Sequence, residues 1–240
     1  MKYKFLAVFI CIFLVFSAAI FVRPSSLFAQ TPQTIIVTND NDSGPGSLRQ
    51  AIADANPGDM IGFDLSSYII HPTTPLIFDK KLTICCNLTL SGDTDGDGVG
   101  NGRIMEVMPG ADVNLISIFI TLGISDNGGA ILNQGTLILD GVDLNHNRAA
   151  NSGGAVYNEG NLSLYTMQLG YNNAENGGAI YNTTSGRVYG LDVVFYNNSA
   201  LNEGGAIDNF GDLDTNRVTF AFNSADLGAA IHNKGQFITY

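Results

Sequence analysis

Tryptophan is missing from this 240-residue chain, cysteine is limited to three residues, and 14% of positions carry a charge. Each shortage excludes a class of protein. With Cys11 in the amino-terminal apolar segment, the remaining pair is Cys85 and Cys86, adjacent in sequence. No disulfide framework can be built from them, and a bond between strand neighbours, which point to opposite faces, would be strained. They are expected as one buried and one exposed thiol, and they lack the spacing and histidine partners of a zinc site. Charge is also one-sided. Three of the 11 basic residues, Lys2, Lys4 and Arg23, precede the first acidic one, which leaves 8 basic against 22 acidic residues, a net charge of −14. That sign repels phosphate backbones and no basic cluster offsets it, which argues against nucleic acid as a partner.

Long apolar runs are confined to the beginning. Lys2 and Lys4 lead into the 18-residue apolar stretch from Phe5 to Val22, then Arg23, Pro24 and a candidate cleavage site after Ala29. Residues 1–29 therefore read as a secretory signal peptide that engages the export machinery. An uncleaved signal anchor is the alternative, because the stretch approaches the roughly 20 residues that span a bilayer.

What the chain does have is glycine, 28 residues of it, placed periodically. Gly-Gly-Ala starts at Gly128, Gly153, Gly177 and Gly204, with a Gly-Ala-Ala copy at Gly228; the spacings are 25, 24, 27 and 24 residues. Such a period marks a stacked-repeat architecture. Five residues into each copy stands an asparagine: Asn133, Asn158, Asn182, Asn209 and Asn233. A second column runs Asn147, Asn172, Asn198 and Asn223. Apolar columns fill the space between, as in Ile131/Val156/Ile180/Ile207/Ile231 and Leu144/Leu169/Phe195/Phe220. Apolar positions two apart predict strands, and some 24 residues leave room for about three strands and three turns. Stacking these copies in parallel turns each asparagine column into a ladder of amide-to-carbonyl hydrogen bonds. A leucine-rich repeat would need more leucine. The expected fold is all-β: a right-handed parallel β-helix of the pectate-lyase-like kind, its hand taken from the general preference of parallel crossovers.

Residues 30–127 read as a cap followed by irregular coils, and 128–240 as the regular repeats. Thr34–Thr38 is a candidate strand. Ser47 with Gln50 forms a capping-box pattern, and Leu48, Ala51, Ile52 and Ala55 share a helical face, so a short amphipathic helix should cover the first coil. Strands are expected at Met60–Phe63, Leu76–Phe78, Leu82–Cys85, Leu88–Leu90, Ile104–Val107 and Val113–Ile120. The sequence stops at Tyr240, inside the strand that begins at Phe237, so a fragment or truncated reading frame is expected.

Candidate chemistry is sparse. Asp93, Asp95 and Asp97, followed by Gly98, resemble the start of a calcium loop, whose hard cation wants convergent oxygens; Ile104 occupies the twelfth position and Glu106 comes two residues late, so a structural calcium competes with a solvated acidic turn. Asp208, Asp212 and Asp214 are the dense acidic cluster of the regular coils, the place where a hydrolase's carboxylate pair would be sought. Arg148, Arg187 and Arg217 are scattered and read as solvated charges. His71, His146 and His232 share no ligand spacing and read as exposed loop histidines. Tyr157 and Tyr181, in one column with Asp208 and His232, could stack as a binding surface or simply pack.

Gly128-Gly129-Ala130-Ile131 and its copies, with Phe195-Tyr196-Asn197-Asn198 and Phe220-Ala221-Phe222-Asn223, resemble the alternating GGAI and FxxN elements of the chlamydial polymorphic outer membrane proteins and of many bacterial β-helix surface proteins. The stretch Asn41–Ile52 also looks like the opening of large secreted bacterial β-helix proteins. The resemblance implies a secreted or cell-surface protein of the outer membrane or cell envelope with a structural, adhesin-like role. The expected partner is a host or neighbouring cell surface, glycan or protein, and neither catalysis nor a cofactor beyond the candidate calcium is expected. The alternative on the same fold is a polysaccharide lyase or glycoside hydrolase.

Overall fold

Alternation of inward apolar and outward polar residues, repeated coil after coil, produces three parallel sheets around one apolar column. The computed structural model describes residues 31–239; the signal segment, residues 1–29, lies outside the described residues, as does Cys11. The chain forms a parallel β-solenoid of about eight turns. One regular coil shows the plan. Ile131–Asn133 lies on the first face, Thr136–Asp140 and Asp143–Asn145 on the second, and Arg148–Ser152 on the third, before Gly153 begins the next coil. Among the described residues these faces are sheets of seven, twelve and four strands.

Every pairing is parallel, and it aligns the repeat columns. Val156 pairs Ile131 and Ile180. Leu162 lies between Leu137 and Val188, and Leu144, Leu169, Phe195 and Phe220 follow one another. All are buried except Phe220, which is partly covered. Phe195 and Phe220 stack at 5.1 Å. The alanines of the Gly-Gly-Ala copies, Ala130, Ala155, Ala179 and Ala206, are fully buried.

Each corner has its own chemistry. At the first, Asn133 Nδ2 donates to Asn158 Oδ1 at 2.7 Å, and the series continues to Asn182, Asn209 and Asn233 at 2.8, 2.7 and 2.6 Å. At the second, Asn147, Asn172, Asn198 and Asn223 are linked at 3.1, 3.0 and 2.9 Å. Here the oxygens of Asn172, Asn198 and Asn223 also accept the backbone N–H of the asparagine one coil earlier, as Asn172 Oδ1 does from Asn147 at 3.0 Å. The residue preceding each of these asparagines, His146, Tyr171, Asn197 or Phe222, has φ between 53° and 57° and makes the turn. The third corner is the glycine pair. A further bend, at Ser117, Gly141, Thr166, Asp192 and Arg217, all at positive φ, lies midway along the twelve-stranded face and interrupts the strand at Gly141 and Arg217.

The helix, Leu48–Asp54, buries Leu48, Ala51 and Ile52 against the first coils. Ser47 Oγ accepts the Gln50 N–H at 3.2 Å. The reciprocal half of the box is not made: Gln50 Nε2 turns to Asp54 Oδ1 at 2.8 Å, while the Ser47 N–H is taken by Gly44 O. Ser47→Ala is therefore expected to cost about 1 kcal/mol, measurable by chemical denaturation, with no loss of sheet signal.

Two expectations for the irregular coils need correction. Leu82–Ser91 is one continuous element rather than two strands, with its register shifted between Cys85 and Leu88. That irregularity interrupts alternation, so Cys85 and Cys86 are not split between core and solvent. Cys85 is half-buried and Cys86 is exposed.

Candidate functional site

On the four-stranded face, four successive coils present the same small and polar positions. Arg148, Asn173 and Ser199 occupy one column there, paired strand to strand, and Ser199 bridges to Ser224. Ala149, Ala174 and Ala200 are buried beside them. Small side chains leave a shallow furrow of about 760 Å³ along the stacking direction, rimmed by Glu175, Leu201 and Asp226. Leu201 is 67% exposed, a large apolar group on a track of otherwise small and polar side chains. Asn147, Asn172 and Asn198, at the corner next to this face, are buried and bonded into the ladder, so they position it and do not line it.

The acidic candidates fall on two faces. Asp208 lies on the seven-stranded face. Asp212 and Asp214 are on the twelve-stranded sheet, where Asp212 pairs with Arg187 at 3.3 Å. Arg217 binds both oxygens of Asp192, at 2.6 and 2.5 Å, and this hydrogen bonding holds the Asp192 carboxyl below its ordinary value. Arg187 and Arg217 are thus paired, although exposed ion pairs of this kind contribute little. Arg148 remains an exposed charge.

Asp93, Asp95 and Asp97 do converge, with one oxygen from each within 4.8 Å of the others. Burial pushes the Asp93 carboxyl up, but the N–H groups of Gly96 at 2.7 Å and Gly98 at 3.0 Å hold it below the usual value. Both Asp93 oxygens are thereby engaged by backbone. Asp95 and Asp97 are exposed, each accepting an N–H two residues on. Glu106 is turned away to Arg103. Residues for a weak hard-cation site are present here, without the bidentate ligand that a calcium loop of this pattern uses.

The histidines differ more than their spacing suggested. His71 is exposed and contacts the Asp93 carbonyl. His146 is exposed and stacks on Tyr171 at 4.9 Å. His232 is no loop histidine: it lies in Ile231–Asn233, paired in register with Asp208, and its side chain is 18% exposed. Its Nδ1 is 2.8 Å from Asp208 Oδ1 and 3.4 Å from Glu203 Oε2. Burial raises the Asp208 carboxyl above its ordinary value against the pull of His232. Above it in the same column, Tyr181 and Tyr157 are stacked at 5.3 Å with rings 2° from parallel. Glu203 had no place among the candidate residues, because it stands before the glycine corner and reaches Asp208 only after the chain turns.

Residues 192–209 match the family model of the Chlamydia polymorphic membrane protein repeat. The match covers the Phe195–Asn198 element and the Gly204–Asn209 copy, the same units that form the second and third corners of one coil. It fits the repeat family that the Gly-Gly-Ala and Phe-x-x-Asn elements resemble and, with the solenoid, a surface-type β-helix protein; that repeat family is associated with outer-membrane surface proteins of bacteria. No curated protein and no solved structure matches the chain. Among the described residues no helix is long and apolar enough to cross a membrane.

Proposed function

We propose that this chain is exported through its amino-terminal signal and acts at the bacterial surface as a structural, adhesin-like display rod, without catalysis. The observation that carries the reading is the furrow on the four-stranded face. It repeats one pattern of small and polar side chains over four coils, so it is a track that can meet an extended or repeating partner at several equivalent positions. Enclosed pits with convergent catalytic groups are the expectation for small-substrate chemistry, whereas Asp208 faces His232 on one sheet and Asp212 pairs with Arg187 on another. The partner is a glycan or protein on a host or neighbouring cell, and the acidic balance of the chain disfavours nucleic acid.

The test is binding of the purified full chain to a glycan array and to intact cells, run beside an assay for reducing ends and unsaturated products on a polysaccharide panel. Binding weakened about tenfold by Leu201→Asp or Arg148→Glu, with circular dichroism unchanged, is the expected result. Product release that disappears in Asp212→Ala would replace this reading by a polysaccharide-acting enzyme.

A further inference from the structure

Coil stacking brings Glu203, Asp208 and His232 together with one ligand atom of each within 4.8 Å of the others. They come from three successive coils: Glu203 ends the third face of one, Asp208 lies on the first face of the next, and His232, its cross-strand partner 24 residues on, lies on the first face of the one after. Asp208 is 1% exposed, and its Oδ2 is buried with no hydrogen-bond partner among the described residues. A buried carboxylate oxygen without a donor is costly, and it demands either a proton or a cation. Its Oδ1 already faces His232 Nδ1 at 2.8 Å.

From this geometry we propose that Glu203, Asp208 and His232 form a site for a divalent transition metal ion, of which zinc is the representative. One imidazole nitrogen and two carboxylates are a donor set that zinc accepts with bonds of about 2.0–2.2 Å. Tetrahedral ligands at that radius stand about 3.3 Å apart, close to the 3.4 Å between His232 Nδ1 and Glu203 Oε2. The closer Asp208–His232 contact must open by a few tenths of an ångström, and the unpartnered Oδ2 gives Asp208 a second oxygen to offer. Calcium and magnesium prefer all-oxygen shells and suit this imidazole poorly. Glu203 and His232 side chains are 24% and 18% exposed, so the ion has an entry path. Lys234 Nζ, now 3.2 Å from Glu203 Oε2, is the cation a metal would displace. The bound ion would clamp the coil that begins at Gly228 to the two before it.

Cobalt(II) is the spectroscopic probe. The full chain, stripped with chelator and dialysed against cobalt or zinc at pH 7.5, should hold one equivalent at this site, with visible ligand-field bands for cobalt. The thermal unfolding midpoint should rise by roughly 5–10 °C at a hundredfold excess of zinc over Kd. His232→Gln, which keeps a side chain able to bond Asp208, should weaken binding at least tenfold and remove the bands while leaving circular dichroism intact. Asp95→Asn, in the separate acidic loop, should leave both unchanged. Absence of a cobalt spectrum in the native chain, or a spectrum that survives His232→Gln, overturns the proposal, as does one that instead disappears with Asp95→Asn.

Discussion

Replacing Gly178 by alanine is expected to remove more than about 4 kcal/mol of stability or to abolish cooperative folding. The two glycines of each corner have different tasks. The first, Gly177, sits at φ 62°, a conformation that β-carbon-bearing residues resist. The second is needed for approach: a β-carbon on Gly178 would fall far inside van der Waals contact of the Gly205 carbonyl oxygen and 2.7 Å from the backbone of Ser199. Both obstacles are backbone, so no rotamer change relieves them. The coils cannot simply part, because the Gly178 N–H bonds Gly204 O at 3.0 Å and parallel strands stand about 4.8 Å apart on either side. Gly102→Ala, where an added β-carbon meets nothing within 4 Å, is the control and should change stability by less than about 0.5 kcal/mol. Urea unfolding of the two variants compares them directly; a loss under about 1 kcal/mol for Gly178→Ala would show that the corner relaxes and that close approach is not what the second glycine provides.

The same glycines explain how much of the architecture can be read without coordinates. A solenoid repeats its environment, so identical demands fall on positions 24 to 27 residues apart and leave columns of one residue type. Asn158, Ile180 and Leu162 are legible for that reason. The helix is legible because Leu48, Ala51 and Ile52 keep the helical period and Ser47 caps it. The bend shared by Ser117, Gly141, Thr166, Asp192 and Arg217 is different: its five occupants have no side-chain chemistry in common, since the positive φ is imposed by pairing on both sides. Cys85 and Cys86 escaped for a related reason, as strand alternation fails where the register shifts.

The cluster at Glu203 was half visible. Asp208 and His232 fall in the column that holds Tyr157 and Tyr181, so their contact could be read from the spacing alone. Glu203 could not, because it lies across the glycine corner and five residues earlier in the chain. Only the sharp turn at Gly204, at φ 65°, folds the Glu203 carboxylate back over the strand that carries Asp208.

Asn182→Ala should cost about 2–4 kcal/mol. The amide accepts from Asn158 at 2.8 Å and donates to Asn209 Oδ1 at 2.7 Å, to Asp212 O at 3.1 Å and to Gly186 O at 3.2 Å. Truncation leaves these acceptors facing an apolar methyl group in a place that is fully buried, and an unmet buried acceptor carries most of its desolvation cost. Asn182→Asp should be worse than alanine, because it keeps the volume but sets a carboxylate oxygen against Asn209 Oδ1 and two carbonyls with no proton to offer. Position along the ladder should grade the effect. Asn233 is exposed and donates to Gly235 O at 3.1 Å, so Asn233→Ala should lose less than about 1 kcal/mol. Joint replacement of Asn158 and Asn182 should cost less than the sum of the single losses, since the rung between them is then counted once. Equilibrium denaturation of this set separates a ladder from a row of independent polar residues: equal losses at Asn182 and Asn233, or strict additivity of the adjacent pair, would mean that the stacked amides do not act through one another.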